Sequence, residues 1–319
     1  MPELTESKEV APAAAAPKAG GSHKAKAPRK TASAEAKRAL TGRFGSFIAV
    51  IIAVLWTIPT FGLFITSFRP EAEIKTSGWW TFFANPSFTL ENYQTVLYGA
   101  KSQGDLASYF INSLVITVPA TLAPLLFATM AAYAFSVLKW KGRDTVFVIV
   151  FALQIVPLQM ALIPLLRVFS GTAISSMFPF LSIWVAHTIF ALPLAIFLLH
   201  NFMAEVPREL VEAAQVDGAG HVKTFVSVML PLMVPAIASF AIFQFLWVWN
   251  DLLVGLTFSG GMELTQPLTA RLASMAGSRG QDWHLLTAGA FVSMIIPLAV
   301  FLTLQRYFVR GLMAGSVKG

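Results

Sequence analysis

Five residues of one apolar stretch are spaced so that they would lie on a single face of a helix. They combine two side-chain types that bind an uncharged polyhydroxyl solute. They are Phe240, Gln244, Trp247, Asp251 and Phe258. Aromatic rings stack on the faces of such a solute, and amide or carboxylate groups bond to its hydroxyls. The pattern predicts the lining of a path for a neutral solute.

Further polar residues in apolar stretches are weaker candidates for the same path. They are Asn112, Gln154, Gln159 and Asn250. A structural interpretation stays open for them and for Gln244 and Trp247, and polar side chains also bind spanning helices together at about 1 kcal/mol. Asp251 has its own alternative, since it follows Pro231 by about 30 Å of helix and would then lie at the outer membrane interface.

The sequence argues against catalysis by this chain. It contains no Cys, which excludes thiol chemistry and cysteine-ligated metals, and no G-x-x-x-x-G-K-[ST] loop for phosphates. The apolar stretches contain neither H-E-x-x-H nor paired carboxylates. His187 and His200 are interpreted as interface or packing residues, with contact to substrate or a partner as the alternative. We expect a non-enzymatic chain that binds no metal or cofactor itself.

The elements that must position these residues are membrane-spanning helices. The chain is 56% hydrophobic and 12% charged, with a mean hydropathy of +0.67, whereas soluble domains carry about 25% charged residues. Runs of about 20 residues without charge predict one all-α polytopic membrane domain over residues 44–319. The six predicted spans are 44–67, 110–136, 146–166, 180–200, 231–257 and 285–306.

Basic residues set the predicted orientation in the cell membrane. With six spans the termini share a side, and placing both in the cytoplasm puts 17 of the 23 Lys and Arg residues inside. Residues 1–43, rich in Ala, Pro and Lys, are predicted to form a disordered basic cytoplasmic tail. This bias and attraction to the lipid bilayer explain the net charge of +7 without a nucleic-acid partner.

A charged segment over residues 205–230 interrupts the apolar pattern and is predicted to form a cytoplasmic helical hairpin. Leu210, Ala213 and Ala214 give its first helix a small apolar face, and Gly218 allows a sharp turn. A second short helix, with Phe225 on its apolar face, is predicted to stop at Pro231. Two interpretations remain open at this point: docking into a groove of another protein, or lying on the lipid surface.

The hairpin resembles a known motif. Glu212-Ala213-Ala214, Gly218 and Leu230-Pro231 match the EAA motif, E-A-A-x-x-x-G-x9-I-x-L-P, of the membrane subunits of ATP-binding cassette importers. Every spacing agrees, and Val228 replaces the Ile of the pattern. Blocks such as "ATMAAYAFSVLKWKGRD" and "FLWVWNDLLVGLTF" extend the resemblance over residues 44–319 to the carbohydrate-importer subgroup, particularly permeases for maltose, trehalose and other α-glucosides.

The resemblance implies a type I importer permease fold and a mechanical role for the hairpin. Glu212, Ala213, Ala214 and Gly218 would dock on an ATPase subunit, with Leu210 and Phe225 beside them, and Pro231 would begin the next span. The implied partners are a second permease, two ATPase subunits that hold ATP and Mg, and an extracytoplasmic sugar-binding protein contacted through residues 259–284. An ion-coupled secondary transporter and a membrane scaffold remain as alternatives.

Overall fold

The computed structural model describes residues 42–99, 105–170, 177–260, 262–276 and 282–316, and its regular elements there are helices. The predicted tail, residues 1–43, lies almost entirely outside this description. The chain divides into two units, residues 1–57 and 58–319, with the boundary inside the first helix. The helices are α1 Arg43–Ser67, α2 Glu71–Thr76, α3 Glu91–Tyr98, α4 Leu106–Ser136, α5 Arg143–Ala152, α6 Leu158–Phe169, α7 Leu181–Ala204, α8 Arg208–Val216, α9 His221–Thr224, α10 Leu230–Trp249, α11 Leu253–Ser259, α12 Leu268–Ala276 and α13 Trp283–Ser316.

Within the described residues, five helices are long and apolar enough to cross a membrane, and a sixth span results if one bent pair is counted as a single crossing. The pair is α5 with its 3-10 extension to Ile155, followed by α6, and the bend is 102°. The predicted span 146–166 coincides with this bent pair, so the helix predicted there is interrupted at Val156 and Pro157. Pro157 follows an extended Val156 and supplies no amide, so the helix ends before it and restarts at Leu158.

The fifth predicted span, 231–257, also has different bounds. Helix runs continuously from His221 to Trp249, so the hairpin's second helix does not stop at Pro231. A π turn over Phe225–Met229 comes directly before that proline, where an α-helical hydrogen bond is missing. The span ends at Asn250, and α11 is a separate helix because the Asp251 carboxylate accepts hydrogen bonds from the first amides of a new turn.

Three prolines lie inside continuous spans where a side chain of a neighbouring helix pairs with the carbonyl four residues earlier. A proline has no amide for the carbonyl four residues earlier, and such a carbonyl needs another partner inside a membrane. The three pairs are Trp184 Nε1 with the Val115 carbonyl (2.9 Å, before Pro119), Gln244 Nε2 with Ala120 (3.2 Å, before Pro124) and Trp249 Nε1 with Ser293 (3.1 Å, before Pro297). These bonds join α7 to α4, α10 to α4 and α10 to α13.

Small residues let the central helices approach closely. Ala128 and Ala132 of α4, Ala195 of α7 and Ala236 of α10 are at most 5% exposed and belong to one buried cluster. Packing of small faces is the main source of helix association in a bilayer, where apolar burial gives little driving force. Helices α4, α7 and α10 therefore form the core that positions the candidate site.

A buried arginine organises the segment between α1 and α3. Arg69 is 1% exposed and donates hydrogen bonds to the carbonyl of Gly78 at 3.0 Å and to the hydroxyls of Ser77 and Thr81 at 2.7 and 3.1 Å. Its guanidinium also lies 3.6 Å from Glu73. A buried charge is stable only with such partners, so this arginine fixes the fold of the connecting segment.

Candidate functional site

A cleft of about 710 Å³ lies between α10, α7 and the bent pair α5–α6. Four residues predicted from one helical face share its wall: Phe240, Gln244, Trp247 and Asp251. Gln154 and Gln159, the weaker candidates, line the opposite side on either flank of the Pro157 bend. The cleft thus combines aromatic rings with hydrogen-bonding groups, as binding of an uncharged polyhydroxyl solute requires.

Three predicted residues lie elsewhere among the described residues. Asn250 is exposed and donates to the Leu246 carbonyl of its own helix at 2.8 Å. Phe258 is buried against Phe169, because the helix break at Asn250 takes it off the α10 face. Asn112 donates to the Gln266 carbonyl at 3.1 Å and ties α4 to the segment before α12.

Gln244 serves helix packing as well as the cleft. It is 1% exposed, and its Nε2 is committed to the Ala120 carbonyl. The alternative interpretation, that a polar residue binds one span to another, therefore applies to its amide nitrogen. Contact of Gln244 with a solute stays a prediction.

Asp251 lies at the junction between α10 and α11, with its side chain 12% exposed. One carboxylate oxygen accepts from the Gly255 amide at 2.8 Å, and the other lies 3.3 Å from the Val254 amide. His187 Nε2 of α7 is 3.7 Å from the first oxygen. The carboxylate therefore caps α11 and still faces the cleft, since each oxygen can accept more than one bond.

Several cleft residues were not predicted from the sequence. Phe190 of α7 and Phe243 of α10 add aromatic surface to the lining. Phe190 lies one helical turn after His187. This pairing of a polar and an aromatic residue on one helical face could have identified Phe190 as a cleft residue from the sequence. Phe243 lies on a neighbouring face of α10, so the strict spacing that selected the other residues excluded it.

The hairpin begins with α8 and turns through a Schellman motif. Gly218 has φ +80°, the Ala219 amide donates to the Ala214 carbonyl at 2.9 Å, and the Gly218 amide donates to Gln215 at 3.0 Å. These two bonds satisfy carbonyls that the end of α8 leaves free. The predicted sharp turn at Gly218 is confirmed, and the left-handed backbone explains why a glycine is present.

The base of the hairpin is anchored in the core, whereas its first helix is exposed. Phe225 packs edge to face on Tyr133 of α4 at 5.1 Å, and Met229 is 1% exposed. Phe225 therefore belongs to the base rather than to an exposed docking face. Every residue of α8 is at least partly accessible, with Leu210 43% exposed and Val216 88% exposed.

Glu212 of α8 is exposed and borders a polar cavity of about 800 Å³. The opposite wall includes Lys139 of the loop between α4 and α5 and Arg143, the first residue of α5. Ala213 is exposed and Ala214 half-buried beside it. This arrangement leaves a carboxylate and a flat small-residue patch available to a partner protein.

Comparison with known families and proteins gives consistent matches. A family model described as "binding-protein-dependent transport system inner membrane component" matches residues 32–313. The osmoprotective compounds uptake permease protein GgtD of Synechocystis sp. is 53% identical over 276 residues, which cover 85% of this chain and 91% of that protein. The α-glucoside transport system permease protein AglG of Rhizobium meliloti is 51% identical over 237 residues, 73% of this chain and 61% of that protein.

More distant matches agree in fold. The melibiose/raffinose/stachyose import permease protein MelC of Bacillus subtilis is 31% identical over 285 residues, covering 89% of this chain and 99% of that protein. A chain of the crystal structure of a bacterial transporter that imports alginate superposes with a TM-score of 0.67 at 19% identity, over 85% of this chain and 98% of that one. At that identity the likeness concerns the fold alone.

Proposed function

The chain belongs to the family of binding-protein-dependent transport system inner membrane components, and we propose that it forms half of the translocation path of an ATP-binding cassette importer for an α-glucoside such as maltose or trehalose. It is a multi-pass membrane protein of the inner membrane and a transport component rather than an enzyme. We also propose that ATP hydrolysis on partner subunits drives the import and that both termini lie in the cytoplasm.

The observation that carries the proposal is the continuous helix between the hairpin and the cleft. It starts at His221, beside the exposed α8, and reaches Trp249. Phe240, Gln244 and Trp247 lie on it and line the cleft. Because no loop interrupts this helix, a displacement of the hairpin by a partner changes the position of the cleft wall.

The hairpin is the proposed docking site for an ATPase subunit. Glu212, Ala213 and Leu210 are accessible, and Gly218 holds the turn that presents them. Small side chains allow close approach, and the carboxylate can pair with a basic group of the partner. In the proposed complex two ATPase subunits hold ATP and Mg, a second permease completes the path, and an extracytoplasmic binding protein delivers the sugar.

The α-glucoside assignment is supported by two independent features. One relative at 51% identity is named for α-glucoside transport. Another at 31% is named for import of melibiose, raffinose and stachyose, which are α-galactosides, so it supports a sugar substrate in general. The cleft carries aromatic rings and amide groups suited to sugar hydroxyls and ring faces.

Reconstitution tests the proposal directly. The complete complex in proteoliposomes, with ATP inside and binding protein outside, should accumulate radiolabelled maltose or trehalose. Uptake should stop when the ATPase subunits are left out or when non-hydrolysable ATP replaces ATP. Sugar accumulation that continues without the ATPase, or that follows a proton gradient, would contradict the proposed coupling.

A further inference from the structure

We propose that Asp251 is a charge-selectivity residue: its carboxylate makes this wall of the cleft favour neutral polyhydroxyl solutes and slows anionic ones. This inference rests on the proposed function, because it assumes that the cleft is part of the solute path. It assigns a specificity role to a residue that the sequence alone did not distinguish from an interface aspartate.

The Asp251 carboxylate is surrounded in the cleft wall by uncharged side chains. Among the described residues that line the cleft, Asp251 is the one that carries an ionisable acid or base, and the other polar groups are the amides Gln154, Gln159 and Gln244. A single charge next to apolar walls produces a stronger local potential than a charge on an open surface, because less water surrounds it. Asp251 therefore determines the sign of the potential on this side of the cleft.

The surroundings of Asp251 hold the carboxylate in place without cancelling its charge. The Gly255 amide at 2.8 Å and the weaker contact from the Val254 amide fix its orientation. A hydrogen bond to a backbone amide stabilises a carboxylate but adds no countercharge. The fixed oxygens can accept hydroxyl protons from a neutral sugar, whereas the carboxylate of an acidic sugar would be repelled.

His187 is the neighbouring group that would neutralise the site if it were a cation. Its ring is 1% exposed and perpendicular to the Trp247 ring at a centroid distance of 5.8 Å, and its Nδ1 has no hydrogen-bond partner among the described residues. A buried imidazolium with one nitrogen lacking an acceptor is costly. The Nε2 to carboxylate distance of 3.7 Å is also too long for a strong hydrogen bond. The net charge of the pair is therefore that of the carboxylate.

The absence of cysteine from the sequence allows a direct measurement of this potential. A reporter thiol is introduced as Leu253→Cys, at a position that lines the cleft and whose native side chain is 43% exposed. In the complete complex, its modification rates by a cationic trimethylammonioethyl and an anionic sulfonatoethyl methanethiosulfonate are compared. A neutral methyl methanethiosulfonate corrects for the intrinsic reactivity of the thiol.

The charge change is Asp251→Asn, which keeps the shape of the side chain and an oxygen acceptor able to cap α11. The cationic-to-anionic rate ratio at Leu253→Cys should fall by about three- to tenfold at low ionic strength. The same ratio at Tyr98→Cys, 80% exposed on α3 and outside the cleft, should stay constant. An unchanged ratio at Leu253→Cys, or an equal change at both reporters, would overturn the proposal.

A second measurement needs no change at Asp251. With native Asp251, raising the ionic strength to about 0.5 M, where the Debye length is about 4 Å, should reduce the ratio at Leu253→Cys. A ratio insensitive to salt and equal to that at Tyr98→Cys would refute the inference even if the Asp251→Asn complex did not assemble. Sugar uptake by the same unmodified complex is measured in parallel. If ATP-driven uptake occurs but the rate ratio shows no charge preference, only the role of Asp251 is rejected. If the unmodified complex shows no ATP-driven uptake, the proposed function is rejected.

Discussion

The bond between Gln244 and the Ala120 carbonyl should be strongly coupled to Pro124. Gln244→Leu leaves that carbonyl without a donor, because residue 124 supplies no amide. Bonds between membrane helices average about 0.6 kcal/mol and reach about 1.7, and leaving a buried polar group unpaired costs about 1–3 kcal/mol. Since Gln244 is 1% exposed, we expect a loss of about 1–2 kcal/mol in the free energy of unfolding.

In a Pro124→Ala background the result should reverse. The new amide of residue 124 can donate to the Ala120 carbonyl, and the Gln244 amide then becomes the unpaired buried group. Gln244→Leu should cost nothing or be stabilising there, which gives a coupling free energy of about 1–3 kcal/mol. Leu and Gln have similar volumes, so the packing contribution is nearly the same in both backgrounds.

The assay is a double-mutant cycle measured by SDS titration in mixed micelles with tryptophan fluorescence. The matched control combines Gln244→Leu with Pro297→Ala. The carbonyl that Pro297 leaves without an amide is that of Ser293, and it accepts from Trp249 instead of Gln244. That control should be additive within about 0.5 kcal/mol. Equal costs of Gln244→Leu in the native and the Pro124→Ala backgrounds would refute the idea that the side chain replaces a missing backbone donor.

Three further predictions concern the hairpin and the segment between α1 and α3. Gly218→Ala imposes a left-handed backbone on a non-glycine residue at about 1–2 kcal/mol, so ATP-driven uptake should fall; Gly218→Asn should fall less, and Gly220→Ala, at φ −70°, should behave as wild type. Glu212→Lys should abolish uptake at normal membrane levels and Glu212→Gln should only reduce it, whereas full activity of Glu212→Lys would remove this residue from the coupling site. A hydrogen bond from Lys75, and then the nearby His284, lower the pKa of the Glu71 carboxyl. The Glu71 carboxylate therefore makes a small contribution to stability above the ordinary glutamate pKa, and this contribution is lost as pH falls through the lowered pKa of the folded protein. In Glu71→Gln the thermal midpoint should therefore decrease less at acid pH, as thermal unfolding at several pH values would show.

The positions of most helices could be predicted from apolar run length, but the behaviour of their prolines could not. Pro119, Pro124 and Pro297 leave long helices continuous, whereas Pro157 ends one. The carbonyls that the first three leave without an amide accept from side chains of other helices far away in sequence, and a single sequence does not show which helices will be neighbours. At Pro157 the Leu153 carbonyl accepts from Val156 in a tight turn instead, and the chain bends.

The candidate site was predictable where one helix forms it. Phe240, Gln244 and Trp247 of α10, together with Asp251 just after its end, line one wall of the cleft, and their contact with a solute stays a prediction. The spacing failed at Phe258, because the helix ends at Asn250 and a new one begins. The capping role of Asp251 explains that break, but an aspartate inside an apolar run does not reveal in advance whether it caps a helix or faces a neighbour.

The 29-residue helix from His221 to Trp249 has a geometric consequence. At a rise of about 1.5 Å per residue it is a rod of about 43 Å, so a tilt of about 10° around its hairpin end displaces the far end by about 7 Å. That displacement exceeds the width of a water molecule and is comparable to a sugar ring. If an ATPase subunit docks on the hairpin as proposed, a modest rotation there would thus be enough to open or close a passage at the opposite end of the rod.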